Sequence, residues 1–312
     1  MINDFDRYFA QLPPFDRERD FDDFWERSIR ELRDVPMEAA LDVNKKRARS
    51  GFKRYDVGFR GINRSRTTGT LLVPEKAQKP RVILVFHDYF RENHYLNYEL
   101  DPSVAYFFLT MKGHEHLKYD ETGEERTTPG YMVDNILEIE NYYVREIYLD
   151  AYRTIDMLRL RSFLDCSSVG IIGKGLGAAM AIFASCYSGR VKALFLDTPS
   201  FAHLPESQNV SKSDAAGEIN AYIEKHRAKG KQVKKNLTYF DAMNFSDRVT
   251  CPAMVTVGFR DPLAPPECVF ALFNHMLCDK TLEVYPDQGN EAGGEKQFQK
   301  TLKWMIDIVT AD

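Results

Sequence analysis

The sequence predicts an α/β fold with a mostly parallel, twisted sheet flanked by helices. Short apolar runs typical of buried strands recur along the chain, and stretches with helical apolar spacing separate them. Strands that alternate with helices favour a parallel sheet with right-handed crossovers. With 312 residues, 44% of them hydrophobic, the chain can bury the core of one large domain. We therefore expect a single domain over residues 1–312.

The first third of the chain predicts a helix followed by an antiparallel start to the sheet. Apolar side chains at helical spacing predict an amphipathic helix over 20–34, inside an N-terminal helical segment of about 1–45. Alternating apolar residues over 55–59, a turn, and a returning strand over 68–73 predict an antiparallel pair. Continuous apolar runs then predict strands covered on both faces, at 81–86 and 105–111.

The rest of the chain alternates between helices and strands. An apolar stripe over 144–158 predicts a long helix. Further strands are expected at 168–172, 191–196, 253–258 and 282–285, and further helices near 266–277 and 295–309. Residues of about 200–245 interrupt this rhythm because they are polar and helical. We expect them to form a small cap insertion over the carboxyl edge of the sheet.

Composition excludes several classes of partner. The net charge of −4 gives no basic field for nucleic acid, and no run approaches the ~18 apolar residues of a membrane span. The acidic N-terminus shows no secretory leader, so we expect a cytoplasmic protein. Five cysteines without a C-x-x-C pair favour free thiols over a disulfide framework. No cofactor motif is visible.

The segment Gly173-Lys174-Gly175-Leu176-Gly177 has the frame of a nucleophile elbow, G-x-S-x-G, with glycine in place of the serine. The elbow is a strand–turn–helix device that presents a hydroxyl at the top of a parallel sheet. A predicted strand precedes it and a predicted helix follows it. The chain therefore resembles a hydrolase whose nucleophile is missing. Lys174 could be a displaced amine nucleophile, but its side chain should point away from the pocket.

The acid and base positions can be read from the strands that follow. Triad residues occur in the chain order Ser, Asp or Glu, then His, and Asp261 stands just past the strand at 253–258. After the next strand the histidine position is occupied by Asn290. A carboxylate left unpaired in a closed pocket is costly. We therefore expect the Asn290 amide to donate to Asp261; the alternative is a solvent-facing loop residue.

An ordered set of motifs runs along nearly the whole chain: Phe21 to Trp25, Leu71 to Pro74, Phe86-His87-Asp88-Tyr89, Tyr142 to Arg145, Tyr239 to Phe245, Val257 to Asp261, Pro265-Pro266, Phe273 to His275 and Tyr285-Pro286. In these motifs the chain resembles the acetylxylan esterase / cephalosporin C deacetylase family of carbohydrate esterases. The family's signatures R-G-Q, G-x-S-Q-G and H-E are all altered, to Lys112-Gly113-His114, Gly173 to Gly177 and Asn290-Glu291.

The resemblance implies the α/β-hydrolase fold, and it implies a homo-oligomer, most typically a ring-like hexamer. It also implies that the backbone N–H groups of Tyr89 and Leu176 are the oxyanion donors. His87 follows the strand at 81–86, and we expect it to shape the oxyanion loop, the segment after that strand that carries Tyr89. No metal is expected. His114-Glu115-His116 could contribute ligands, but no third distant ligand is visible, and an ordinary polar loop is the favoured interpretation.

Three functional hypotheses follow. In the favoured one the chain is inactive as a serine esterase and keeps a pocket for an acetylated sugar or a small ester or acid, as a sensor or an oligomer subunit. In the second it hydrolyses acetyl esters of carbohydrates by a residual or non-serine mechanism, with Asp261, His87 or His114 activating water. In the third it is a structural subunit whose pocket is filled by side chains.

Overall fold

The computed structural model describes residues 4–45, 49–114 and 130–311. In these ranges nine strands form one sheet in the order β1-β2-β3-β5-β4-β6-β7-β8-β9. The strands are β1 (Ala40–Val43), β2 (Phe52–Arg60), β3 (Arg66–Pro74), β4 (Arg81–Phe86), β5 (Ala105–Thr110), β6 (Asp165–Lys174), β7 (Val191–Asp197), β8 (Ala253–Gly258) and β9 (Lys280–Tyr285).

The pairing confirms a mostly parallel sheet with an antiparallel start. Strands β1, β2, β3 and β5 pair antiparallel in that order. The pairs β5–β4, β4–β6, β6–β7, β7–β8 and β8–β9 are parallel. Because parallel strands end at one edge of the sheet, the loops after β4, β6, β7, β8 and β9 come together there.

Helices cover the sheet. They are α1 (Asp4–Ala10), α2 (Phe21–Asp34), α3 (Tyr143–Arg159), α4 (Leu176–Tyr187), α5 (Leu204–Val210), α6 (Asp214–Lys225), α7 (Gly230–Leu237), α8 (Pro266–His275) and α9 (Gly294–Val309). The structure differs from the sequence prediction in the N-terminal segment, where residues 40–43 are a strand paired with β2 and not helical. Helix α1 lies inside the predicted helical segment of about 1–45, although its seven residues give too few turns for a periodic signal of their own.

Helix α2 packs on the body of the protein through Trp25. This side chain is fully buried, its indole N–H donates to the Tyr239 carbonyl at 2.9 Å, and its ring centroid lies 4.4 Å from that of Phe183. Burial of the ring and a partner for its polar atom together explain why a tryptophan is tolerated here. Trp25 therefore serves packing.

Two further observations agree with the composition. The five cysteines are all free thiols. Among the helices in the described ranges, none combines the length and the apolar character needed to cross a membrane.

Asp150 of α3 is a buried carboxyl that is only partly satisfied. The Thr67 hydroxyl donates to its Oδ2 at 2.6 Å, whereas Oδ1 has no hydrogen-bond partner and faces Gly61, where a Cβ would lie 2.3 Å away. Burial raises the pKa of Asp150 to about 7; the Thr67 bond opposes this, and Glu146 adds to it. The protonated form is therefore favoured in the folded protein below that pH.

Asp150→Asn is expected to flatten the dependence of stability on pH. The folded pKa of about 7 lies above the ~3.9 of an unfolded aspartate. The folded state thus binds more protons across this window, and its stability falls as pH rises from about 4 to 7, by at most about 1.4 kcal/mol per pH unit for this group. Urea unfolding at several pH values measures the slope.

The slope should decrease in Asp150→Asn without vanishing, because burial raises the pKa of Asp241 to about 7 as well. The exposed Asp287, which pairs with Arg260 on the surface, supplies the matched control Asp287→Asn. An unchanged slope in Asp150→Asn would contradict the assignment.

Candidate active site

The elbow lies between β6 and α4. Gly175 has φ +56° and ψ −119°, a conformation that costs a non-glycine residue on the order of 1–3 kcal/mol. The flanking glycines permit close packing, since a Cβ at Gly177 would lie 2.4 Å from the Phe86 carbonyl oxygen of β4. The φ of Gly175 is thus positive, and the turn lies at the carboxyl edge of the sheet, as the strand–turn–helix frame predicts.

The carboxylate of Asp88 occupies the space in front of Gly175. Asp88 follows β4, and its Oδ1 accepts the backbone N–H groups of Tyr89 and Leu176, each at 2.8 Å. These are the two N–H groups that the family resemblance implies as oxyanion donors. A Cβ at position 175 would lie 2.0 Å from Asp88 Oδ1 and 2.5 Å from Oδ2. Both of these N–H groups are therefore already bound to a group of the chain itself.

Opposing effects act on the charge of Asp88. Burial raises its pKa, while the bonds from Leu176 and Tyr89 and the positive charges of Lys174 and Arg91 lower it. Burial is the largest of these effects. The first turn of α4 adds a further attraction for the anion, because the N-terminus of a helix carries a partial positive charge.

Asn290 supplies a hydrogen-bond donor to Asp261, the residue at the acid position. Its side-chain amide donates to Asp261 Oδ2 at 3.0 Å and to the Thr198 hydroxyl at 3.1 Å. Asp261 Oδ1 accepts the backbone N–H groups of Leu263 and Ala264. The predicted Asn290–Asp261 hydrogen bond is confirmed and the solvent-facing alternative is wrong. Asn290 reproduces the donor of a histidine but has no basic nitrogen.

The amine of Lys174 is bound by three oxygen atoms of the neighbouring segments. Its Nζ lies 2.7 Å from the Asn290 carbonyl oxygen, 3.1 Å from Asp197 Oδ2 and 3.2 Å from the Thr198 hydroxyl. This ion pair holds the elbow, the end of β7 and the Asn290 loop together. A buried amine paired with a carboxylate is not a free nucleophile. Asp197 was not identified from the sequence, although an acid at the end of a predicted strand was a usable signal.

Two histidines flank the oxyanion loop with both ring nitrogens engaged. The Met111 N–H donates to His87 Nε2 at 3.0 Å, so His87 Nδ1 carries the hydrogen that points to the Asp88 carbonyl at 2.7 Å. The Phe90 N–H likewise donates to His114 Nε2, and His114 Nδ1 faces the Lys112 carbonyl.

Burial lowers the pKa of His87 to about 4 and that of His114 to about 3. Both rings are therefore neutral near pH 7 and neither has a free lone pair to offer to water. The expectation that His87 shapes the oxyanion loop agrees with these contacts. The described residues contain no cluster of potential metal ligands, while Glu115 and His116 of the candidate metal motif lie outside the described ranges.

The segment predicted as a cap contacts the oxyanion loop. The Tyr89 hydroxyl donates to Glu218 of α6 at 2.9 Å, and Glu218 also accepts the N–H groups of Gly130 and Met132. Burial raises the pKa of Tyr89 well above its usual range, and the neighbouring Glu218 carboxylate adds to this effect. Arg91 and Asp214 add an ion pair between the same two segments. The oxyanion loop is thus anchored from the side of α6.

A strained turn between a central parallel strand and a helix, with an acid after β8 and its partner after β9, defines a protein of the α/β-hydrolase class. The family model described as "Acetyl xylan esterase (AXE1)" matches residues 7–308, and the chain belongs to this family. Acetyl esterase Axe7A of Xylanibacter ruminicola is 23% identical over 94% of this chain and 68% of its own length.

Solved structures agree on the fold. The acetyl xylan esterase from Paenibacillus sp. R4 superposes with a TM-score of 0.85 at 23% identity, covering 96% of this chain and 98% of that one. Acetyl xylan esterase 1 from Thermoanaerobacterium sp. JW/SL YS485 superposes with a TM-score of 0.82 at 23% identity, covering 95% of this chain and 97% of that one. The α/β-hydrolase fold predicted from the sequence is confirmed.

Proposed function

We propose that this chain is a non-hydrolysing member of the acetyl xylan esterase family that keeps the site as a binding element. One observation carries the proposal: Gly175 offers no hydroxyl, and the oxyanion donors beside it are occupied by Asp88. Acyl transfer of the serine type needs a nucleophile, a base within reach and free oxyanion donors. The first two are absent from the triad positions and the third is blocked.

A non-serine mechanism is less well supported. It requires a group that takes a proton from water, and the candidates were Asp261, His87 and His114. The two histidines use both ring nitrogens in contacts with the backbone. Asp261 already accepts two backbone N–H groups and the Asn290 amide. These contacts favour structural roles for all three residues.

A binding role also fits better than a purely structural one. Asp88 does fill the space in front of Gly175, as the structural hypothesis expects of a side chain there. However, the filling group is a half-buried carboxylate, and desolvating a charge costs free energy that an apolar filler would not cost. The relatives are named for acetyl xylan and acetyl esterase activities. We therefore propose an acetylated sugar or a small ester or acid as the ligand, with a sensor or subunit role.

The parent protein is expected to show no hydrolysis of acetylated xylo-oligosaccharides, cephalosporin acetate or p-nitrophenyl acetate above the rate of a protein surface. A fluorophosphonate probe should label no serine at the elbow, because none is present. The matched control is Asp261→Asn, which should leave any background rate unchanged. Saturable turnover that Asp261→Asn abolishes would refute the proposal.

We also propose that the chain assembles as a homo-oligomer, by analogy with the hexameric rings of the family. The expected result of light scattering at micromolar concentration is a mass near six times the 36.0 kDa of one chain. A monomer mass under these conditions would contradict the proposal.

A further inference from the structure

We infer that Asp88 is an internal ligand of the oxyanion hole, and that the hole is a latent binding site for small carboxylates such as acetate. The oxyanion hole is defined here as the N–H groups of Tyr89 and Leu176 together with the first turn of α4. Beyond the proposed loss of hydrolysis, this assigns the group that fills the site and the chemical class that can replace it.

The two N–H groups and Asp88 Oδ1 have the geometry of an oxyanion hole that is occupied by an oxygen atom. Both N–H groups converge on one atom, Asp88 Oδ1, and each donor lies 2.8 Å from it. Oxyanion donors in hydrolases lie 2.7–3.1 Å from the position of the developing oxyanion. Asp88 Oδ1 therefore has the position that the oxygen of an acyl group would take.

The surroundings suit a negatively charged oxygen. The Leu176 N–H belongs to the first turn of α4, a twelve-residue helix whose N-terminus carries partial positive charge. Lys174 and Arg91 are the cations that act on Asp88. Hydrogen bonds to a charged acceptor are roughly twice as strong as those between neutral groups. Lys174 and Arg91 are themselves paired with Asp197 and Asp214, so the two N–H donors and the helix terminus are the main groups that attract an anionic oxygen here.

An added carboxylate must compete with Asp88 for the same two donors. Asp88 is adjacent in sequence to Tyr89, so its carboxylate has a high effective concentration at the hole. An acetate ion in solution has no such advantage. The parent should therefore bind acetate only weakly, in competition with Asp88, and removal of the Asp88 carboxylate should strengthen that binding.

The test uses Asp88→Ala, Asp88→Asn and the control Asp165→Ala. Asp165 accepts the Ser167 N–H at the other end of the sheet, so its removal also frees a backbone donor, but away from the hole. The melting temperature of each protein is measured against sodium acetate, with sodium chloride at equal ionic strength. Acetate affinity is measured directly by isothermal titration calorimetry.

Asp88→Ala should melt below the parent in chloride and recover in acetate, with an acetate affinity at least about tenfold above that of the parent. Asp88→Asn should gain no acetate binding, because its amide oxygen still fills the hole. Asp165→Ala should also gain none. If Asp88→Ala does not fold in chloride, refolding yield in acetate against chloride gives the same comparison.

Equal acetate effects in the parent and in Asp88→Ala would overturn the inference. So would the absence of any acetate effect on Asp88→Ala in melting, titration and refolding. Acetate binding by Asp88→Asn as tight as by Asp88→Ala would also overturn it, by placing the acetate elsewhere. Hydrolysis by the parent would refute the proposed function, and it is measured without these variants.

Discussion

The double variant Gly175→Ser/Asn290→His is expected to remain inactive on acetyl esters until Asp88 is also replaced by alanine. The two substitutions restore the nucleophile and the base on the retained Asp261. A serine Cβ displaces Asp88 Oδ1 from its present position, but the carboxylate is tethered next to Tyr89 and still competes with the acyl oxygen for at least one of the two donors. Loss of one oxyanion donor typically lowers kcat about 10²–10³-fold. The triple variant should therefore exceed the double by at least about a hundredfold in the initial rate on p-nitrophenyl acetate.

The base position is well placed for this design. The Asn290 amide nitrogen lies 3.0 Å from Asp261 Oδ2, so an imidazole N–H on the same backbone can reach the same carboxylate. The triple variant with Asp261→Asn added is the matched control and should lose most of the restored rate, because the histidine then lacks its orienting anion. A double variant as active as the triple would show that Asp88 leaves the hole without penalty.

Local signals made much of this site predictable. The glycine frame at 173–177 placed a strand–turn–helix junction correctly because each of its close contacts needs a residue without a side chain. The rule that parallel strands end at one edge brought Asp261 and Asn290 together. The requirement that a buried carboxylate be satisfied then predicted which atoms would bond. Each of these steps depends on spacing along the chain or on a general rule of sheets.

The position of Asp88 could not be derived in the same way. The sequence places it beside Tyr89, an implied oxyanion donor, just after a strand. Whether its side chain turns toward Leu176, 88 residues later, depends on how β4 and β6 align and on the path of the loop after β4. The Lys174–Asp197 pair depends in the same way on the alignment of β6 with β7. The spacing of residues along the sequence predicts neither the Asp88–Leu176 contact nor the Lys174–Asp197 pair.

The structure links the missing serine to the acid in the oxyanion hole. A Cβ at position 175 would lie 2.0 Å from Asp88 Oδ1, well inside van der Waals contact. A serine at 175 and the observed Asp88 conformation therefore exclude each other. Glycine at 175 both removes the nucleophile and makes room for the carboxylate.

Gly175→Ser is accordingly expected to destabilise the protein by more than about 3 kcal/mol. The backbone conformation alone costs a serine about 1–3 kcal/mol. Displacement of the Asp88 carboxylate from two backbone N–H groups adds about 1.5–3 kcal/mol for each charge-assisted hydrogen bond that is lost. Water that binds the freed groups offsets part of this loss. The free energy of unfolding in urea measures the total. Gly189→Ser is the control, since a Cβ there meets nothing within 4 Å.

A double-mutant cycle separates the two contributions. In an Asp88→Ala background no carboxylate opposes the new side chain, so Gly175→Ser should cost only the backbone strain of about 1–3 kcal/mol. The two single effects should then sum to more than the effect of the double variant, by at least about 1 kcal/mol. Simple additivity would mean that Asp88 and position 175 do not compete for space. A sub-additive result would instead locate the destabilisation in the oxyanion hole, because a carboxylate that has already been removed cannot be displaced a second time.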